Sequence, residues 1–125
     1  MRPERGSATV EFALVMPLLL VVILAVVQVG LLLRDQLVLT QAARAGAREA
    51  SVSPSDEEVR SAVVSAAAGL DPSALSTEVQ RVGAQGEPVT VSLAYAVPVR
   101  VPLASWLVGE GVVLRAGATF RQEFP

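Results

Sequence analysis

The feature that most constrains this chain is a run without any charged side chain at positions 12–33, FALVMPLLLVVILAVVQVGLLL. At about 1.5 Å per residue, a helix over this run is roughly 33 Å long, close to the roughly 30 Å thickness of a bilayer's hydrocarbon core. A cleaved secretory signal has a shorter apolar region followed by small residues, whereas Arg34 and Asp35 follow this run. A buried helix this apolar needs a large soluble protein around it, and the chain has 125 residues. The run therefore predicts one membrane-spanning helix.

Composition excludes several functional classes. The chain has a formal net charge of -2, whereas a nucleic-acid binder needs a basic surface stripe. It contains no His and no Cys, which removes disulfides, thiol nucleophiles and the usual zinc ligands. We also find no nucleophile elbow, no phosphate-binding Gly loop and no carboxylate pair that one cleft would bring together. We therefore expect no catalytic residue, no cofactor, no metal site, no small-molecule substrate and no nucleic-acid partner.

Helical character continues beyond the apolar run. Residues 34–50, RDQLVLTQAARAGAREA, contain no Pro and many strong helix formers. We expect one helix from about Thr9 to about Ala50, on the order of 60 Å long. Such a helix lies half in lipid and half outside it, which suits a subunit of an assembly better than a simple anchor.

Three features of this helix bear on its packing. Pro17 removes a helical hydrogen bond and is expected to bend the axis. Gln28 either bonds across to a neighbouring helix or is solvated near an interface, and Gly30 beside it permits close backbone approach. Small residues form a ridge at every fourth position, which either admits another helix closely or is an ordinary packing stripe beside a solvated face. The members of this ridge are Ala42, Gly46 and Ala50.

A short segment, MRPERGSATVEF, leads into the apolar run. Its basic residues Arg2 and Arg5 favour a cytoplasmic N-terminus by the positive-inside tendency, which places the C-terminal domain outside. Glu11 borders the run, where it either complements the helix dipole or has a functional partner. If the chain is cut after Gly6, Ser7 acquires a cationic amino group that can pair with Glu11 of a neighbouring helix and set its register.

The residues RGSATVEF at 5–12, running into ALVMPLLL, resemble the N-terminus of TadE-like pseudopilins. That family belongs to the tight-adherence (Flp-type) pilus assembly systems of bacteria. The stretch QAARAGAR at 41–48 resembles the second recurring block of the family, although Ala45 stands where an acidic residue is common in relatives. The resemblance covers the long helix well and the rest of the chain only in layout.

The resemblance implies processing by a prepilin-type peptidase after Gly6, with Ser7, Glu11 and Phe12 on the other side of the cut and Glu11 as the acidic residue of the recognition sequence. It implies a minor subunit rather than the main filament protein. The partners it implies are the inner-membrane lipid, other pilin or pseudopilin subunits and the pilus assembly platform.

A second, shorter helix is expected after the long one. Pro54 ends the long helix because it disfavours helical geometry at the residue before it. Ser55 and Glu58 form a capping box at the start of the second helix, predicted at 55–69. The acids at 56–58 are interpreted as dipole-complementing residues rather than as metal ligands.

Strand patterns occupy the remainder of the chain. Strands are predicted at 77–82, 89–97 and 112–122, which make a small antiparallel sheet covered by the second helix. The last of them places four side chains on one face: Leu114, Ala116, Ala118 and Phe120. Residues 103–108, LASWLV, are expected to close the core, the alternative being a patch that touches the membrane or a partner.

We therefore expect an α+β, pilin-like fold with a cytoplasmic leader at 1–6, a long helix at 7–50 spanning the membrane at about 12–33, and an extracytoplasmic domain at 51–125. The expected function is that of a minor pseudopilin-like structural subunit in pilus assembly or a related secretion apparatus, in the bacterial cytoplasmic membrane. The alternative is a signal-anchored protein whose outer domain binds a ligand or a cell-envelope component.

Overall fold

The computed structural model describes residues 4–98, 109 and 111–125. Helix α1 is Glu4–Val52 and helix α2 is Asp56–Ala66; a 3-10 turn, Pro72–Ala74, precedes strands β1 (Leu75–Arg81), β2 (Pro88–Val97) and β3 (Val112–Arg121). The strands form one antiparallel sheet in the order β1-β2-β3. The predicted α+β fold, with a long apolar helix, a shorter helix and three antiparallel strands, is confirmed. The segment 103–108, expected to close the core, lies outside the described residues.

Helix α1 is continuous and extends a few residues beyond both of the ends expected near Thr9 and Ala50. Pro17 lies inside it without interrupting it. Most side chains at 12–33 are exposed, whereas beyond Arg34 one face of the helix is buried with the regular spacing of a helical stripe. A single helix therefore has two environments, a bare apolar half and a half packed against the domain.

Two serines organise the turn between α1 and α2. Ser55 is the N-cap of α2, and its Oγ accepts a hydrogen bond from the N–H of Glu58 at 3.4 Å. The carboxylate of Glu58 accepts from the hydroxyl of Ser53, and that hydroxyl oxygen accepts from the N–H of Ser55 at 3.1 Å. The expected capping box is thus only half formed, because Ser53 stands between Glu58 and the backbone of Ser55.

The remaining acids at the start of α2 pair with arginines. Asp56 forms an ion pair with Arg81 of β1, whose guanidinium also donates to the carbonyl of Ser53 at 3.3 Å. Glu57 lies 3.9 Å from Arg60, one turn further along α2. Each acid therefore has a local partner, and all three lie in the first turn, where negative charge complements the helix dipole.

The inner face of the sheet comes mainly from β2. Its buried side chains are Val89, Val91, Leu93 and Tyr95, the alternation that the sequence predicted. The hydroxyl of Tyr95 accepts from the N–H of Asp71 at 3.3 Å, which joins the turn before β1 to the middle of the sheet. A fully buried tyrosine thus keeps a partner for its polar end.

Strand β3 contributes less to the core than its pattern suggested. Leu114, Ala116 and Ala118 are half-buried as expected. Phe120, which the alternation places on the same face, is 43% exposed. Its exposure follows from its place near the far end of β3, an edge strand whose last three residues are all exposed.

The core forms where the second half of α1 meets both α2 and β2. A Cβ added to Gly46 would come within 2.4 Å of Val63 Cγ2 on α2 and 3.3 Å of Val91 Cγ1 on β2, so the two elements approach the bare helix backbone at this point. The α1 residues buried around Gly46 are small or unbranched at Cβ: Leu39, Ala42, Ala43, Ala47 and Ala50. The ridge of Ala42, Gly46 and Ala50 is therefore covered by this chain's own domain.

This close approach predicts a large cost for any side chain at position 46. In Gly46→Leu, overpacking should lower the free energy of unfolding by about 1–3 kcal/mol or more, although leucine is the better helix former. Chemical unfolding of the full chain in detergent, followed by near-ultraviolet circular dichroism, measures the change. Gly30→Leu is the matched control, because in the described part of the chain no atom beyond its own helix backbone lies within 4 Å of a Cβ at that position. Equal unfolding midpoints for the two variants would contradict the packing described here.

Candidate processing and assembly helix

The four residues expected to take part in processing lie on the first turns of α1. Gly6, Ser7, Glu11 and Phe12 are all exposed, and among the described residues outside its own helix turn no atom lies within 4 Å of a Cβ placed on Gly6. Ser7 and Glu11 are four residues apart and share one face of the helix. The segment is therefore accessible from every side within this chain.

The bond between Gly6 and Ser7 lies in the first turn of α1, which begins at Glu4. N–H groups in the first turn have no intrahelical partner, and helix ends open at little cost in free energy. Gly6 lowers the stability of this first turn further, since glycine is a poor helix former. The local chemistry at this bond is thus that of an exposed peptide that unwinds easily.

The apolar part of α1 leaves its side chains uncovered. An 18-residue window within Gly6–Val52 has a mean hydropathy of 2.9, and none of it is buried, so this helix is a candidate membrane span by length and composition. Exposed side chains include Phe12, Leu14, Leu18, Val22 and Val26. Contiguous apolar surface of this extent marks a membrane or protein interface.

Beyond the span, the two faces of α1 differ. The small-residue face is occupied by α2 and β2, as described above. The opposite face carries Gln41, Arg44 and Arg48, which are exposed, with the two arginines one turn apart. Arg44 and Arg48 form no ion pair with any residue that the structure describes, so this basic face is open to other molecules.

Polar residues mark the point where the span meets the domain. Asp35 is fully buried, and its Oδ1 lies 3.8 Å from Nη1 of Arg34, which is itself half exposed. The side chain of Gln36 donates a hydrogen bond of 3.0 Å to the carbonyl of Arg115 on β3. At the far end of α1, the N–H of Glu123 donates to the carbonyl of Ser51 at 2.7 Å.

These two hydrogen bonds set the direction of β3. The helix advances about 23 Å between positions 36 and 51, and an extended strand advances about 26 Å between positions 115 and 123. The two distances agree to within a few ångströms, so β3 lies alongside α1, nearly parallel to it and pointing the same way. The end of the sheet at which β2 finishes at Val97 and β3 begins at Val112, called the hairpin end below, is therefore the end of the described sheet nearest the apolar span.

A turn close to this end is held by a carboxylate. The side chain of Asp71 accepts from the hydroxyl of Ser73 at 2.7 Å and from its N–H at 2.9 Å. These two hydrogen bonds hold the pKa of Asp71 below its usual value of 3.8, the hydroxyl bond having the larger effect. The turn before β1 thus keeps its charge, and its N-cap, at any pH near neutrality.

The outer face of the sheet carries a shallow depression of about 530 Å³. Its lining includes one carboxylate, that of Glu78, and one guanidinium, that of Arg115, and the other lining side chains are uncharged. The full lining is Ser76, Thr77, Glu78, Ser92, Leu93, Ala94, Arg115, Ala116 and Gly117. The single acid has no second carboxylate beside it in this lining, and general acid–base catalysis by a carboxylate pair requires one.

Comparison with known families decides the identity of the helix. A model described as TadE-like protein matches residues 6–48. This segment, about a third of the chain, is similar to TadE-like proteins. No curated protein and no solved structure matches the chain.

The TadE-like match coincides with α1 and with the resemblance noted from the sequence, which is confirmed. The match and the long apolar helix together support a pilus-related membrane protein. The matched range includes Gly6, Ser7, Glu11 and Phe12, and it also includes Ala42 and Gly46 of the buried ridge. Ala50, α2 and the sheet lie beyond it.

Sequence patterns did not single out the residues that join the span to the domain. Asp35, Gln36 and Arg115 belong to different elements, and Arg115 takes part through its backbone carbonyl, which no side-chain pattern reports. The one available signal for Asp35 and Gln36 was that they belong, with Arg34, to the polar residues that follow the apolar run.

The Gln36 contact predicts a local effect at the hairpin end of β3. Gln36→Ala removes a partly solvated hydrogen bond worth about 0.5–1 kcal/mol, which should speed amide exchange at 113–116 by roughly two- to fivefold. Hydrogen-exchange mass spectrometry of the full chain measures this. Gln41→Ala, on the exposed face of α1, serves as the control. Identical exchange in the two variants would argue against the contact.

Proposed function

We propose that this chain is a minor pseudopilin-like structural subunit in the assembly of a tight-adherence (Flp-type) pilus or a related secretion apparatus. The observation that carries the proposal is the TadE-like match over 6–48, which lies on one continuous helix, bare in its apolar half and packed in the other. Such a helix can pack side by side with others in the membrane while it displays a folded domain outside.

Processing after Gly6 is part of the proposal. It is supported by the exposure of residues 6–12, by the low stability of the first turn of α1, and by the acidic residue five positions after the glycine. The cut would free the amino group of Ser7. In a bundle of parallel helices, that amine and the carboxylate of Glu11 on a neighbour form a charge pair, which favours one register over others.

The partners follow from the same reasoning. The peptidase that cuts at Gly6, the lipid of the cytoplasmic membrane, other pilin or pseudopilin subunits and the assembly platform are the proposed partners. The orientation places Arg2 and Arg5 in the cytoplasm and α2 with the sheet outside, in keeping with the positive-inside tendency. The exposed Arg44 and Arg48 on the free side of α1 offer a charged face to a neighbouring subunit.

The rival proposal is a signal-anchored protein whose outer domain binds a ligand or envelope component. It is favoured by the depression on the outer face of the sheet. The two proposals differ in what they require of the N-terminus, because a simple anchor keeps its leader and has no use for a particular charge at position 11.

Processing is tested on the mature protein. We expect intact-mass spectrometry of protein from cells that possess a prepilin-type peptidase to show a chain lacking residues 1–6, with Ser7 at its N-terminus. Deleting the peptidase should restore the full mass. A full-length chain in cells with an active peptidase would refute processing and favour the rival proposal.

The carboxylate at position 11 is tested separately. Glu11→Ala should leave membrane insertion intact but impair cleavage or incorporation into the pilus, because the residue no longer supplies the negative charge. Membrane fractionation, intact mass and counts of surface pili measure the three steps. Glu4→Ala is the matched control, since that acid lies in the segment to be removed. Normal piliation in Glu11→Ala would exclude a role for the carboxylate.

A further inference from the structure

The hairpin end of the sheet lies at the same level along α1 as the end of the apolar span. Arg115 is level with Gln36, as their hydrogen bond requires. Val113 precedes Arg115 by two strand residues and therefore lies about 7 Å closer to the hairpin end. Along α1, the same distance corresponds to about four to five residues toward the N-terminus. Val113 is therefore level with Leu32, inside the apolar run that ends at position 33.

Burial on α1 supports this overlap independently. Leu31 and Leu32 are half-buried although they belong to the apolar run. The side-chain oxygen of Gln28, one turn further down, is buried as well. One side of the last turns of the run is therefore partly covered, which agrees with the level derived from the Gln36 hydrogen bond.

The described residues on the outer face of the hairpin end are apolar with a charged border. Val113 is 56% exposed on the outer face of β3, and Ala96, its register partner on β2, is exposed too. Arg115 lies on the same face of β3, two residues beyond Val113 and therefore further from the hairpin end. Arg115 forms no ion pair with any residue in the described parts of the chain.

A second arginine lies at the same level on the other side of the domain. Arg34 directly follows the apolar run, and its Nη2 lies 2.9 Å from where a Cβ of Gly69 would be, at the end of α2. Arginines just outside an apolar surface are placed to contact lipid phosphates, while the apolar residues enter the layer below. Asp71, the exposed acid nearby, has its charge engaged by Ser73.

We propose that the β2–β3 hairpin end is a membrane-contacting surface. Val113 and Ala96 enter the interfacial layer of the outer leaflet, and Arg115 and Arg34 contact phospholipid phosphates at its border. The partner is a lipid surface because the hairpin end is continuous with the span: the apolar run cannot be immersed to its end unless this edge is immersed with it. The domain is then held against the bilayer at two places, which restricts how it tilts.

This inference rests on insertion of α1, which belongs to the proposed function, so the experiment reports on both. The chain has no Cys, so a single introduced cysteine carries a nitroxide spin label at a unique position. The full chain is reconstituted in vesicles of phosphatidylcholine and phosphatidylglycerol. Collision of the label with oxygen, which is enriched in lipid, is compared with collision with a water-soluble nickel chelate.

Three label sites separate the outcomes. Val22→Cys lies in the middle of the span, Val113→Cys at the hairpin end, and Arg121→Cys on the same face of β3 at its far end, about 26 Å away. We expect the ratio of oxygen to nickel collision to be highest at 22, intermediate at 113 and lowest at 121. If the collision ratio at 113 were as low as that at 121 while the ratio at 22 stayed high, this inference would be overturned and insertion of α1 would stand. An aqueous ratio at 22 would overturn both.

The border arginine gives a second test. Arg115→Glu should lower the collision ratio of the label at 113 toward the value at 121, because the new carboxylate is repelled by phosphate. Arg121→Glu, the same charge change at the far end, should leave the label at 113 unaffected. An unchanged ratio in Arg115→Glu would overturn the phosphate contact. Magnetic broadening at 113 that disappears on dilution with unlabelled chain would show that a second copy, rather than lipid, covers this edge.

Discussion

The contact on which the rest of the structure depends is the one between the backbone of α1 at Gly46 and the valines of α2 and β2. A chain of this size has little apolar material for a core outside its long helix. It makes that core by letting Val63 and Val91 approach α1 to a distance that no side chain at position 46 would permit. Because α2 and the sheet both pack on α1, the helix is at once the anchor and one wall of the domain. Any movement of the helix is therefore passed directly to the domain.

This arrangement gives the two halves of α1 different surroundings. The apolar half has no partner in the chain over most of its length and matches the bilayer core in length and hydropathy. The other half is patterned for burial on one side and for water on the other. The boundary is marked by Arg34, the buried Asp35 and Gln36, the last of which binds the backbone of β3. Polar groups at this point mark where the apolar run ends and the packed half of α1 begins.

The residues that match the TadE-like model are almost the same as the residues of helix α1. The match covers 6–48, which is nearly the whole of α1, and stops before α2 and the sheet. The helix has to satisfy several demands at once: an exposed start, an apolar span of bilayer length, and small residues where the domain packs. The similarity to TadE-like proteins is thus a similarity of the helix, and it does not extend over α2 or the sheet.

The sequence by itself determined the elements of this protein. A charge-free run, a following stretch of helix formers, a serine N-cap and three alternating strands predicted α1, α2 and the sheet, because these signals act over a few neighbouring residues. It left two alternatives for the ridge of Ala42, Gly46 and Ala50, and it placed Phe120 on one face of β3 without deciding whether that end of the face is covered. Only the tertiary structure decided that the ridge packs against this chain's own valines and that Phe120 lies at an uncovered edge. The same holds for the level of the hairpin end beside the span, which depends on the bond between Gln36 and Arg115. Spacing along a chain reports which side chains share a face, whereas what covers that face depends on contacts between residues distant in sequence.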